Sequence, residues 1–131
     1  TEVKALQSDK VTVTGYVDDG VLADYYASAR VAVVPLRYGA GIKSKVVEAF
    51  REGLPLVTTP TGMQGLVESE GVCEVADRAE DLAVAIMRLL REDGSWTTYS
   101  QRGRAYVNDR FSKSSMRGQL REILGLEETP E

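Results

Sequence analysis

Residues 31–59 read VAVVPLRYGAGIKSKVVEAFREGLPLVTT. Val31 to Pro35 is a continuous apolar run, and Pro55 to Thr59 is another. Between them Ile42, Val46, Ala49 and Phe50 recur at helical spacing, and Gly53 closes the pattern. A short apolar run with no polar alternation suits a strand buried on both faces, as in a parallel sheet. The stretch therefore predicts strand, helix, strand, with the helix over about residues 42–52 as the crossover that parallel neighbours require.

The pattern extends in both directions. Upstream, Val11 to Thr14 is rich in β-branched residues and ends at Gly15. Asp18 and Asp19 suit the N-cap of a helix through Ala29, with Val21, Leu22, Tyr25, Tyr26 and Ala29 as its apolar stripe. Downstream, Gly71 to Val75 reads as a weaker strand. The expected fold is α/β: a Rossmann-like parallel sheet of about four strands flanked by helices, with a helical C-terminal end. Leu82, Ala85, Ile86, Leu89 and Leu90 mark one of those late helices, followed by Gly94. Trp96, Tyr99, Gly103, Tyr106 and Val107 mark the next, and Ser112 caps a third with Met116, Leu120, Ile123 and Leu124 inward. The domain reading is 1–93 for the partial Rossmann-like unit, 94–124 for its C-terminal helices, and 125–131 for an acidic tail. Thr1 to Gln7 looks like the end of a helix with no strand before it, so the chain is expected to begin inside its domain.

Bulk properties narrow the function. The 131 residues carry a net charge of −4, with 43% hydrophobic and 27% charged residues, an ordinary soluble balance with no basic face suited to nucleic acid. No run of 18 apolar residues offers a transmembrane segment. The expected location is cytoplasmic. Cys73 is the single cysteine, in an apolar stretch that suits a core side chain. There is no histidine. That removes the histidine-based nucleophile triads and the commonest metal ligand, so a general base must be a carboxylate, lysine, tyrosine or the substrate.

The chemistry-bearing segment is residues 35–49. Ligands of open parallel sheets bind beyond the carboxyl ends of the strands. Here a strand ends at Pro35, and Gly39 and Gly41 shape a turn into a helix whose N-terminal N–H groups attract anions. Lys43 and Lys45 add positive charge at that end, against the helix dipole. Glu48, one turn on, is a carboxylate able to accept two hydrogen bonds from a vicinal diol such as a ribose. On pattern alone the simpler reading makes the glycines turn formers, and the lysines and Glu48 solvated helix residues. Thr58 to Gly65 follows a strand end and borders the same place, either as a tight loop or as a contact.

Residues 31–66, VAVVPLRYGAGIKSKVVEAFREGLPLVTTPTGMQGL, together with VTVTGYVDDGVLADYYASA upstream and RGRAYVNDRFS downstream, resemble the nucleotide-sugar-binding domain of GT-B glycosyltransferases. The group in question is the large retaining family four-like, or "group 1", type. The resemblance spans roughly residues 3–124. It implies that Glu48 binds the nucleotide ribose, that backbone at Gly41, Ile42 and Lys43 faces the donor diphosphate and sugar, and that the loop at Gly15, Tyr16 and Val17 holds the base; Lys45, which its spacing puts beside the inward face of the helix, joins the same donor-binding set. It implies a nucleotide-diphosphate sugar as donor substrate, no cofactor and a metal-independent site. It also implies a role in cell-surface polysaccharide biosynthesis, and an N-terminal domain of the same protein that supplies the acceptor site and a peripheral membrane association. The isolated chain is then expected to be inactive, and its catalytic residues are not among those read here.

Many family members carry a second glutamate eight positions before the ribose-binding one, where this chain has Ala40, so the sugar contact stays open. Two alternatives stay open as well: a fragment of a GT-B-fold nucleotide-sugar epimerase, and a non-catalytic binding module. For the sheet, the favoured expectation is direct pairing of residues 11–14 with 31–35. The alternative is a homodimer through an exposed sheet edge.

Overall fold

The computed structural model describes residues 4–110. The expected third late helix and the acidic tail lie outside them. After a single 3-10 turn at Lys4–Leu6, the elements run α1 (Asp19–Ser28), β1 (Ala32–Val34), α2 (Ser44–Arg51), β2 (Leu56–Thr58), β3 (Glu74–Val75), α3 (Ala79–Arg91) and α4 (Asp93–Arg110). The sheet is parallel with order β1-β2-β3. Ala32, Val33 and Val34 register with Leu56, Val57 and Thr58, and Val57 and Thr58 with Glu74 and Val75.

The run Leu56–Thr58 is buried throughout, and successive side chains enter different cores. Leu56 joins Val34, Val46, Ala49, Phe50, Leu66, Tyr106 and Val107 on the side of α2 and α4. Val57 joins Leu82, Ala85 and Leu89 on the side of α3. Alternate residues of a strand point to opposite faces, so a strand covered on both is apolar throughout. Gly103 lets α4 approach α2: a Cβ there would lie 2.9 Å from the Phe50 ring and 3.4 Å from the Phe50 Cα. The Phe50 and Tyr106 rings meet edge to face, 6.2 Å between centroids.

Three expectations are corrected. The described sheet has three strands, because Val11 to Thr14 forms none. Local groups take up its backbone instead: Val13 N donates to Gln7 Oε1 at 2.6 Å, and Val11 N to Ser8 Oγ at 3.2 Å. β-Branched composition favours a strand only where a neighbour and a core surface exist, and Val11 is 46% exposed. No hydrogen bond among the described residues joins 11–14 to 31–35, so the direct pairing is not made, and the outer edge of β1 is unpaired among the described residues. The stripe of α1 reaches the core only through Tyr26, which is half-buried against it. The helix has the expected cap, Val21 N donating to Asp18 Oδ1 at 2.9 Å, but none of its residues is buried. Gly94 follows α3 as expected and lies in the first turn of α4, and the break between the two helices falls at Glu92, whose backbone is extended.

Candidate functional site

Two loops meet at the carboxyl ends of β1 and β2. Thr58 Oγ1 donates to the Val34 carbonyl at 2.7 Å, and Thr59 Oγ1 donates to the Leu36 carbonyl. Both threonines are buried. A turn after Thr59 brings Gly62 N to Thr59 Oγ1 at 3.3 Å. At Gly65, where φ is +86°, a Cβ would sit 2.8 Å from Ile42 Cγ1. The loop after β2 therefore rests on the Gly41–Ile42 turn that opens α2, and residues 58–65 act as its support. Ile42, read as an inward residue of α2, lies outside that helix and is 49% exposed. Val47, which that reading omitted, is buried with Val46, Ala49 and Phe50.

Lys43 is the N-cap residue of α2, extended at φ −93° and ψ 117°, and its side chain caps no N–H. Its Nζ curls back to donate to the Gly41 carbonyl at 2.7 Å. Gly39 and Gly41 both have positive φ, 129° and 78°, which L side chains rarely adopt. Val34, Leu36, Ile42, Lys43, Ser44 and Lys45 line a recess of about 310 Å³ here. The first turn of α2 contains no acidic residue, so two lysines and the positive end of the helix dipole share one place. Ala40 is exposed in the same turn.

Glu48 projects from α2 into a second recess of about 350 Å³, between α1 and α2, with Asp19, Leu22, Tyr26, Arg51 and Glu52 around it. It is half-buried, and its Oε2 accepts a hydrogen bond from the Tyr26 hydroxyl at 3.1 Å. Burial, that hydrogen bond and the charges of Glu48 and Glu52 push the Tyr26 phenol up to about 12. A third recess of about 250 Å³ runs along the unpaired edge of β1 beneath α1. It shares Lys45 with the first recess, and Leu22 and Tyr26 with the second. The structure thus brings Ile42, Lys43 and Lys45 together in the first recess, next to Gly41, and places Glu48 in the second, with the third recess adjoining both.

Tyr16 and Val17 stand apart, on the loop before α1. Tyr16 is 96% exposed, and no hydrogen bond among the described residues ties this loop to α2. Sequence reasoning assigned Tyr26 to packing and missed its hydroxyl contact. The signal that could have found it is the Tyr25–Tyr26 pair on a helix preceding the Glu48 helix, one of the two rings having to face that neighbour. Among the described residues no helix is long and apolar enough to cross a membrane, and no cluster of three His, Cys, Asp or Glu side chains is placed to hold a metal.

A comparison with curated protein sequences returned no match. Among solved structures, sucrose-phosphate synthase from Thermosynechococcus elongatus is similar, at 32% identity and a TM-score of 0.73 over 89% of this chain. The chain spans 31% of the length of that enzyme. Residues 1–92 match the family described as "Glycosyl transferases group 1". That match takes in α1, the turn of Gly39 and Gly41, the α2 carboxylate and the three-stranded sheet, and the chain belongs to the group 1 glycosyl transferases as a GT-B-like nucleotide-sugar-binding domain.

Proposed function

We propose that this domain holds the donor for a parent enzyme that transfers a sugar from a nucleoside diphosphate to an acceptor, with retention. Glu48 accepts hydrogen bonds from the ribose hydroxyls. The turn at Gly41, Ile42 and Lys43, with Lys45 beside it, faces the diphosphate, and the loop at Tyr16 and Val17 meets the base. One observation supports this reading: a half-buried carboxylate on α2 and the cationic, glycine-shaped turn that opens α2 line two recesses, each sharing walls with a third between them. From Lys43 to Glu48 is five residues, about 7.5 Å along the axis, a length comparable to a ribose 5′-diphosphate. Negative charge builds on the diphosphate as the sugar leaves. N–H groups and a lysine fixed beside it stabilise that state more than the ground state.

The same reading places the acceptor site on a further domain and the parent in the cytoplasm, in assembly of cell-surface polysaccharide. It has the unpaired edge of β1 covered by additional chain, either from the parent or from a second copy.

Calorimetric titration with uridine, guanosine and adenosine diphosphates tests the donor site. Glu48→Ala removes an ionised acceptor and is expected to lose about 1.5–3 kcal/mol of binding, with Glu48→Gln losing less. Lys43→Ala is expected to weaken the diphosphate more than the bare nucleoside. Equal affinity of wild type and Glu48→Ala for every diphosphate sinks the assignment.

A further inference from the structure

We infer that Tyr26 is a positioning residue for the ribose-binding carboxylate, its phenol fixing Glu48 through Oε2 and leaving Oε1 for the ligand. The inference rests on the reading of Glu48 given above and adds to it a residue from a different helix. Three observations support it. The Tyr26 hydroxyl donates to Glu48 Oε2 at 3.1 Å across 22 residues of sequence. Oε1 accepts no hydrogen bond from the described residues, so that oxygen keeps both lone pairs. The Tyr26 ring packs against the same core cluster that buries Val46, Val47, Ala49 and Phe50 of α2.

The physical need is clear. A glutamate has three side-chain torsions and loses substantial rotamer freedom when a ligand fixes it. A partner that fixes it beforehand removes that loss from the binding step. A tyrosine does this with only two torsions before its ring, and its hydroxyl is held by a body that is itself packed. The raised phenol keeps its proton through the whole neutral range, so the donor is present there. Tyr26 also forms a common wall between the Glu48 recess and the recess along β1. Its position is thus set by the sheet edge as well as by α1.

The test compares ribose with 2′-deoxyribose, because a purely structural role for Tyr26 would weaken both alike. Wild type, Tyr26→Phe, Glu48→Ala and the double variant are titrated with uridine, guanosine and adenosine diphosphates and with their 2′-deoxy counterparts. Phenylalanine keeps the packing, and coincident unfolding midpoints of wild type and Tyr26→Phe check this. Wild type is expected to prefer the ribonucleotide on the order of tenfold for the base it binds best. Tyr26→Phe is expected to cut that preference at least threefold, and to change nothing further in the Glu48→Ala background. A preference that survives intact in Tyr26→Phe overturns this inference alone. Equal weakening by Tyr26→Phe with and without Glu48 also overturns it, since Tyr26 would then act by itself. A wild type without ribose preference, or without measurable binding, overturns the reading of Glu48 and this inference with it.

Discussion

Gly62 has no unusual torsion that would demand a glycine, yet the structure forbids a side chain there. A Cβ built on Gly62 overlaps Thr58 Oγ1 and lies 3.1 Å from Thr58 Cβ and 3.3 Å from the Thr59 carbonyl. Thr58 cannot step aside, because it is fully buried and its hydroxyl donates to the Val34 carbonyl at 2.7 Å. Gly62→Ala must therefore break that bond or move the loop. Crowding a packed site costs about 1–3 kcal/mol. A buried carbonyl that loses its donor costs about 1–3 kcal/mol more. The smaller freedom of alanine in the unfolded chain returns about 0.4–1 kcal/mol. The net expectation is a loss of about 2–4 kcal/mol. Thr58→Ala removes the obstructing oxygen at a loss of its own of about 2 kcal/mol. In that background the added methyl meets only contacts a few tenths of an ångström too close, and Gly62→Ala is expected to lose no more than about 1 kcal/mol. Urea unfolding of the four proteins gives the coupling, expected near 1.5–3 kcal/mol. Additivity within about 0.5 kcal/mol would show that the obstruction lies elsewhere and refute the argument.

Burial, with a smaller contribution from the Glu74 charge, pushes the Cys73 thiol up to about 12, and its Sγ lies 3.5 Å from the Met63 sulfur. The native protein is therefore expected to resist an exposed-thiol reagent at pH 8 and to react on adding urea; rapid native labelling counts against the burial. Cys73 and Tyr26 are both held above their ordinary values of 9 and 10, so the native state keeps protons that the unfolded chain releases. Their stabilisation is complete below pH 9 and is lost as pH rises toward 12. A flat unfolding midpoint from pH 8.5 to 11 would contradict this. In hydrogen exchange, the amides of α1, which has no buried residue, are expected to exchange faster than those of α2, which has four in eight, and the reverse order would contradict the packing described.

The two strands at the centre of the argument were legible because their signal is physical and local. Leu56, Val57 and Thr58 are apolar or compact on both faces, and the structure buries both faces. Val46, Ala49 and Phe50 were legible through their helical period, as were Leu82, Ala85 and Leu89. Val11 to Thr14 misled because β-propensity records a good fit to a half-buried pleated surface, and nothing in four residues says whether that surface is present. Most of the stripe of α1 misled for the same reason: periodicity shows that one face is apolar, not how much of it is covered, and Tyr26 alone packs against the core. Residues 39–48 could be singled out from the glycines, the lysines and the carboxylate. The support of that turn by Gly65, and the hold of Tyr26 on Glu48, could not, because both join residues more than twenty positions apart.

The two walls of the Glu48 recess are anchored unequally, and this bears on how the domain recognises a ligand. On α2, half the residues are in the core, and Phe50 is clamped by Gly103 and Tyr106 of α4. The carboxylate and the cationic turn thus ride on the best-fixed helix of the structure. On α1, Val21, Leu22 and Tyr25 are 41%, 37% and 48% exposed, and the helix lies over the unpaired edge of β1. The Tyr26–Glu48 hydrogen bond is the polar tie between the walls, and it links a firm element to a loosely packed one. In the proposed reading, order at the ribose end of the site depends on how firmly α1 is seated, whereas order at the diphosphate end depends on α2 and the loop of Thr58 to Gly65. That reading makes affinity for a bare diphosphate and selectivity for its ribose separable, because different packing interfaces support the two ends.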